Sequence, residues 1–332
     1  MARGGFCIGA AVGVDSFGFM QGCCVGERLF AHLRRGGMAA VTPVPEAASA
    51  VPAPPRFAWG SRTFVMGIVN ATPDSFSGDG LGDDVAAAVS RGLEQVAAGA
   101  DILDVGGEST RPGAAPVSLR EEMRRVLPVI AGLRRQTATP ISVDTVKAEV
   151  ADAALRAGAN IVNDVWGLRR DRRLAEVAAA RRAVLIIVHN RPARAVVDAL
   201  GGVYPEVAYA DLVSEVRAEL LEAAGWAEAA GVPPDHIWLD PGIGFGKTPE
   251  QNLELLRRLP DLRTGHPLLV GPSRKSFIGR VLHLPAGERD HGTAAAVALC
   301  SAGGADIVRV HNVQAMVHTV RVADAISRVG GT

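Results

Sequence analysis

Aromatic residues make up only 5% of this 332-residue chain, which does not favour a sandwich core built on large rings. Cysteine is scarcer still. Cys7, Cys23 and Cys24 lie in the first tenth of the chain and Cys300 stands alone, a spacing that offers neither a zinc site nor a disulfide framework. Excess charge of either sign is also missing: Lys plus Arg and Asp plus Glu both total 35, so there is no bulk positive field to hold nucleic acid or an anionic membrane surface. Long hydrophobic runs are absent near the start. The stretch 6–14 is too short to span a bilayer, has only Arg3 as a basic flank and is followed by no clear cleavage site. These absences point to a protein of a reducing cytoplasm whose ligand is a small molecule.

Glycine and aliphatic residues are abundant. With 38 glycines and 48% hydrophobic content, the composition suits one large α/β domain. Residues 1–62 stand apart, Gly-rich at first and then carrying Pro43, Pro45, Pro52, Pro54 and Pro55 among alanines with no apolar period. Three readings compete for this segment: a disordered N-terminal extension, a start assigned too early with Met38 as the true initiator, and a functional arm. None gives it a catalytic role.

From Thr63 onward, apolar runs alternate with helical patterns. Strands are expected at 63–70, 101–106, 140–144, 160–164, 183–189, 236–240, 267–270 and 306–310. Amphipathic stretches lie between them at 84–98, 119–135, 146–157, 172–180, 208–230, 249–259 and 293–302, with a last one at 313–329. Glycine marks the helix ends, as in Ala98-Gly-Ala-Asp, Ala157-Gly-Ala-Asn, Ala230-Gly-Val and Gly303-Gly-Ala-Asp. Eight such alternations between 63 and 329 approach the usual size of a (β/α)8 TIM barrel, about 250 residues. A doubly wound open sheet is the alternative.

The chemistry gathers where these strands end. The first, Thr63-Phe-Val-Met-Gly-Ile-Val, is uncharged and delivers Asn70 into a polar loop with Thr72, Asp74, Ser75, Ser77 and Asp79. The others end in Asp104 and Glu108, Asp144, Asn163 and Asp164, His189 and Asn190, Asp240, Ser273 to Lys275, and Arg309 and His311. In a barrel these share one rim, the active-site face. A single Asp there is equally well a helix cap, Asp164 in particular. Eight polar ends together call for a ligand or metal to satisfy them. Asp144, Asn163 and Asp240 suit a heterocycle with a donor edge, such as a 2-amino ring beside an N–H. Arg274, Lys275, Arg309 and His311, with Arg111 in the glycine- and hydroxyl-bearing loop 106–113, suit an anion. Asn70 and nearby oxygens suit a Mg2+ that shields phosphates.

The ordered set Met66-Gly-Ile-Val-Asn-Ala-Thr-Pro-Asp-Ser-Phe-Ser, Asp104-Val-Gly-Gly-Glu-Ser-Thr-Arg-Pro-Gly, Ile141-Ser-Val-Asp-Thr, Asn163-Asp, Asp240-Pro-Gly-Ile-Gly-Phe-Gly-Lys, Ser273-Arg-Lys-Ser-Phe-Ile-Gly and Arg309-Val-His resembles the dihydropteroate synthases, folate-pathway enzymes targeted by sulfonamides. The resemblance implies condensation of 6-hydroxymethyl-7,8-dihydropterin diphosphate with 4-aminobenzoate, giving 7,8-dihydropteroate and pyrophosphate, with Mg2+, by a cytoplasmic homodimer. It places the pterin on Asp144, Asn163, Asp240 and Lys275, and the diphosphate and its metal with Asn70, Arg309 and His311. Thr110 is implied as a diphosphate contact, and Phe76, Arg111, Pro112 and Ser276 as the aminobenzoate pocket. Loops 70–80 and 107–118 are expected to close over the site. Asp74 would stabilise a developing cation or simply form a turn. Lys275, Asp74 and Arg111 are the expected catalytic groups, whereas Cys300 is expected in the core.

Three places depart from the family pattern: Ser77-Gly-Asp-Gly80 stands for Ser-Asp-Gly-Gly, Val188-His-Asn-Arg for Met-His-Met, and His311-Asn312 for His-Asp. Two other readings share parts of the pattern. A corrinoid methyltransferase domain using methyltetrahydrofolate would share the barrel and middle carboxylates, but 108–113 and 273–276 serve a diphosphate and an aminobenzoate. A non-catalytic pterin-binding paralogue should have lost phosphate residues that are all present here.

Overall fold

A computed structural model describes residues 55–71, 85–110 and 114–328. β1 (Phe64–Asn70) is an uncharged run buried along nearly its whole length, as a strand covered on both faces requires. It lies in an all-parallel sheet with β2 (Ile102–Gly106), β3 (Ile141–Asp144), β4 (Ile161–Asp164), β5 (Val184–Val188), β8 (Ile237–Asp240), β9 (Leu269–Val270) and β10 (Ile307–Val310), and pairs with β2 and β10. The spatial order is β8-β5-β4-β3-β2-β1-β10-β9. A parallel bridge between Leu239 and Leu268 joins the two ends, so the sheet closes on itself. Neighbours in space are neighbours in sequence, without the reversal of strand order that marks a doubly wound sheet. The expected (β/α)8 barrel is therefore the fold.

The alternation of each strand divides the core in two. Met66, Ile102, Ile161, Ile186, Trp238 and Ile307 fill the barrel interior, while Val65, Leu103, Val143, Leu185, Leu239 and Val308 face the surrounding helices. The end of the barrel at the strand starts is plugged by aromatics. Phe57 stacks 4.7 Å from Phe64, and Trp59 lies 5.2 Å from Trp238. These two rings fall within the segment that composition set apart as an extension. Half-buried Phe57 and the more exposed Trp59 contact rings of β1 and β8, packing that a Pro- and Ala-rich stretch lacks.

Eight of the nine helices described lie where the apolar period puts them: α1 (Val85–Ala97), α2 (Leu119–Arg134), α3 (Ala148–Ala157), α4 (Arg173–Arg181), α5 (Leu212–Ala229), α6 (Pro249–Arg257), α8 (Asp290–Ala302) and α9 (Val313–Ser327). Gly99, Gly158, Gly231 and Gly304 all take the left-handed conformation, so the glycine signals do turn each helix back into the following strand. α6 starts with a reciprocal capping box between Thr248 and Gln251, with Pro249 at the first helical position.

Two elements escape the periodic reading. α7 (Ser276–Leu282) is a two-turn helix too short to show an apolar period. A hairpin of β6 (Val196–Asp198) and β7 (Gly201–Val203) rises from the long β5–α5 connection. It is docked by an ion pair of 2.8 Å between Asp198 and Arg280 of α7. Cys300 is fully buried on α8, and burial pushes its thiol up, as expected of a core residue.

Candidate active site

The residues of the rim are sorted by strand alternation. On β2 the inward residues are Ile102, Asp104 and Gly106; on β3 they are Ser142 and Asp144; on β4, Ile161 and Asn163; on β10, Ile307 and Arg309. Apolar side chains thus fill the lower barrel, and polar ones follow above them in the same inward rows. The guanidinium of Arg309 is the hub of this polar layer. Its Nε donates to Asp104 Oδ2 at 2.6 Å and its Nη2 to Asp144 Oδ2 at 2.8 Å, while Asn163 Nδ2 donates to Asp104 Oδ2 at 3.1 Å. Asp104 Oδ1 and Asn163 Oδ1 are buried with no hydrogen-bond partner. Buried acceptors of that kind call for donors from a ligand. Asp240 closes the floor from β8, with Oδ1 accepting from the backbone N–H of Gly242 at 2.7 Å.

Burial dominates the ionisation of this floor. It raises the Asp144 carboxyl well above its usual range, and the charges of Asp104, Glu122 and Asp164 add to that; Arg309 opposes them without cancelling them. Asp240 is raised to about 6 by burial, against the Gly242 hydrogen bond and the nearby Lys275, Arg309 and Lys247. Both carboxyls are held where a ligand's donors decide their charge.

Above the floor opens a cavity in two lobes, of about 410 and 360 Å3, which share Glu108, Ser109, Thr110, Asp144 and Phe245. The larger lobe is lined by Asn70 at the end of β1, Lys275 and Ser276 at the start of α7, and Arg309 and His311 at the end of β10, with β6 and β7 forming one side. Lys275 Nζ lies 3.8 Å from the centroid of the Phe245 ring. Ser273 Oγ accepts from the His311 backbone N–H at 3.2 Å and stands 2.9 Å from His311 Nδ1. The hydroxyl is free to give its own proton to Nδ1, and in that tautomer Nε2 is the donor nitrogen.

Of the residues singled out in the sequence, Asn70, Thr110, Asp144, Asn163, Asp240, Lys275, Ser276, Arg309 and His311 come together in this cavity or its floor. Asp74, Phe76, Arg111 and Pro112 lie outside the described residues, as does the altered loop at Gly78-Asp79.

The expectation that all the polar strand ends share one rim needs correction. Asp164 follows inward-facing Asn163 and so turns outward. Its carboxylate accepts from the backbone N–H groups of Trp166 and Leu168 at 2.9 and 2.6 Å, which closes a turn after β4; it does not cap α4, which begins nine residues later at Arg173. His189 follows inward-facing Val188 and meets Lys247 and Glu219 behind the barrel. Arg274 is bonded through Nε to Asp290 of α8 at 2.8 Å. Glu108 is paired with Lys147, which also holds the buried Glu122 of α2. Asn312 explains its own departure from the family pattern. Its amide donates to Asp290 at 2.9 Å while its carbonyl caps α9, and a carboxylate here would face Asp290 with like charge.

Sequence reading passed over two contributors. Asp104 was noted only as a polar strand residue, yet it holds both Arg309 and Asn163; a charge inside an otherwise apolar strand was the available signal. Phe245 had no signal beyond standing between two glycines.

The chain matches the family described as pterin binding enzymes over residues 66–311. It is 49% identical over 274 residues to a dihydropteroate synthase of Synechocystis, covering 82% of this chain and 93% of that one. The dihydropteroate synthase structure from Clostridium difficile, solved in the presence of pteroic acid, superposes with a TM-score of 0.75 at 44% identity, over 82% of this chain and all of the other. That from Xanthomonas albilineans, bound to 4-aminobenzoic acid, gives a TM-score of 0.73 at 43% identity, over 82% and 95% of the two chains. With the barrel, its buried acid floor and its cationic rim, this similarity leads to one conclusion: the chain belongs to the dihydropteroate synthase family of pterin-binding enzymes.

Proposed function

We propose that the chain joins 6-hydroxymethyl-7,8-dihydropterin diphosphate to 4-aminobenzoate, releasing pyrophosphate and 7,8-dihydropteroate. The observation that carries this reading is the floor, where buried acceptors on Asp104 and Asn163 lack donors beside Asp144 and Asp240. The 2-amino group and ring N–H of a pterin supply such donors. Asp144, Asn163 and Asp240 hold that edge, and Lys275 donates to the pterin from above. His311 Nε2 and Thr110 take diphosphate oxygens at the rim, and the N–H groups of Arg309 not given to Asp104 and Asp144 serve the same end. Ser276, with Phe76, Arg111 and Pro112, forms the aminobenzoate pocket. Asp74 and Arg111 are the remaining catalytic groups of this reading.

Bond breaking leads in this mechanism. The C–O bond between the pterin methylene and the diphosphate breaks with its electron pair leaving on pyrophosphate, and the electron-rich ring shares the positive charge left on the methylene. The neutral amine then forms the C–N bond and its surplus proton passes to solvent. The residues are asked for electrostatic stabilisation and exclusion of water, with no covalent nucleophile. Asn70 fits a Mg2+ site: the ion takes few protein oxygens beside water and substrate phosphate, and no cluster of three His, Cys, Asp or Glu among the described residues offers a competing cage. When bound, the ion offsets charge on the departing pyrophosphate.

A homodimer in the cytoplasm completes the proposal. Leu299 of α8 and Val322 and Ile326 of α9 are exposed on adjacent helices, and apolar residues so placed suit a self-complementary contact. No helix among the described residues is long and apolar enough to cross a membrane.

Purified protein given both substrates and Mg2+ should form dihydropteroate, and chelation should abolish it. Tight pterin binding without product would favour the non-catalytic paralogue. Pterin affinity should also depend on pH. The ligand's donors need ionised carboxylates, so binding should be strong above the raised values of Asp144, about 7, and Asp240, about 6, and weaken as pH falls through them. Calorimetric titration from pH 5 to 8 checks this, and an affinity flat across the range would remove the carboxylates from the pterin edge.

A further inference from the structure

The loop after β8, Asp240-Pro-Gly-Ile-Gly-Phe-Gly-Lys247, ends in a lysine that is 1% exposed and hydrogen-bonds to two carbonyls and an imidazole, with Asp240 and Glu219 acting on it from farther off. Burial lowers its amine to about 7, against the pull of Asp240 and Glu219, and in the protonated form its three N–H donors match three close acceptors: the carbonyl of Gly242 at 3.1 Å, the carbonyl of Phe245 at 3.0 Å and His189 Nδ1 at 2.9 Å. A protonated Lys247 has no lone pair, so in that state His189 accepts at Nδ1 and carries its proton on Nε2. That nitrogen lies 3.2 Å from Glu219 Oε2, and Glu219 is itself tied to Arg191 and Arg169. Burial, followed by the nearby Lys247, lowers the imidazole to about 4, which keeps it neutral and able to accept.

The loop is curled tightly around this cation. Gly242, Gly244 and Gly246 all have positive φ, and a Cβ on Gly242 would fall 1.8 Å from the His189 carbonyl oxygen. The side of the loop away from Lys247 meets the site. The Phe245 ring faces Lys275 Nζ, and the stem of Lys275 lies so close over Gly244 that a Cβ there would come within 2.8 Å of its Cδ. Asn252 of α6 anchors the same loop by accepting from the Gly244 N–H at 2.6 Å. The carbonyl of Phe245 therefore binds Lys247 while its ring supports Lys275.

We propose that Lys247 is a positioning residue: clasped by His189, its ammonium fixes the glycine loop so that Phe245 and Gly244 set the place of Lys275 in the active site. The inference rests on the synthase reading. It assigns work to a buried cation outside the cavity and links the β5 end to the cationic rim through a single side chain.

Steady-state kinetics on the full chain test it, with thermal melting as the control for folding. Lys247→Met should lower kcat/KM by about 10- to 100-fold in protein that remains folded, because small misplacements of site groups have effects of that order. In a Phe245→Ala background the same substitution should change kcat/KM by less than about threefold, since groups acting through one another are not additive. His189→Leu should reproduce the loss, and His189→Asn, whose Oδ1 replaces the Nδ1 acceptor, should recover most of it. The His189 pair decides the matter if Lys247→Met fails to fold. Wild-type kinetics in folded Lys247→Met, equal losses in both backgrounds, or identical behaviour of the two His189 variants would overturn the inference alone. A wild-type protein without turnover would overturn the synthase reading and the inference with it.

Discussion

Lys275→Ala should lose about 10²- to 10³-fold in kcat/KM, the effect of removing one preorganised electrostatic contact from a dry site. The side chain is partly exposed, begins α7 and rests over Phe245, so its ammonium is placed for the ligand. Truncation removes a half-exposed side chain, and the melting temperature should move little. Measuring kcat/KM beside a melt separates the two effects. A variant that melts like the wild type and turns over within threefold of it would show that Lys275 does not serve the reaction. Loss confined to pterin KM would assign it to binding; loss in kcat would place its interaction in the transition state.

Asp104→Asn should damage both stability and function. Asp104 is completely buried and holds Arg309 and Asn163 through the same oxygen. Removing a charge from a buried pair costs about 3 kcal/mol at the lower end of the usual range, and here Arg309 retains Asp144 as a partner. The melt should therefore fall by several degrees. The KM for the pterin substrate should rise at least about tenfold, as the hydrogen bond between charged groups that sets the floor is weakened. The pH profile adds a signed test. The charge of Asp104 helps to raise Asp144, so its loss lowers the Asp144 carboxyl and should move the acid limb of kcat/KM to lower pH. An acid limb that stays in place, or moves upward, would mean that Asp144 does not control it.

The departures from the family pattern divide in the same way between local and tertiary causes. Asn312 is explained by Asp290, a contact between the start of α9 and the start of α8 that no local pattern reveals. Asn190, in place of a methionine, donates to the Val165 carbonyl at 3.2 Å and lines the smaller lobe. Its effect on the site comes from the proximity of the β4 and β5 ends, which only the barrel creates.

The sequence by itself determined the barrel, because its signals are local. Eight apolar strands, the helical period between them and the glycines that turn helix into strand depend only on neighbouring residues, and each lies where the pattern puts it. The motif set likewise determined the family and most of the residues around the cavity. Tertiary structure decided which polar residue at each strand end faces the ligand, because successive side chains point to opposite faces and the closed barrel alone says which face is inside. It sent Asn163 inward and Asp164 outward, and turned His189 away to meet Lys247. Only the tertiary structure brought Asp104 to Arg309, 205 residues away along the chain, because burying two charges requires that they meet.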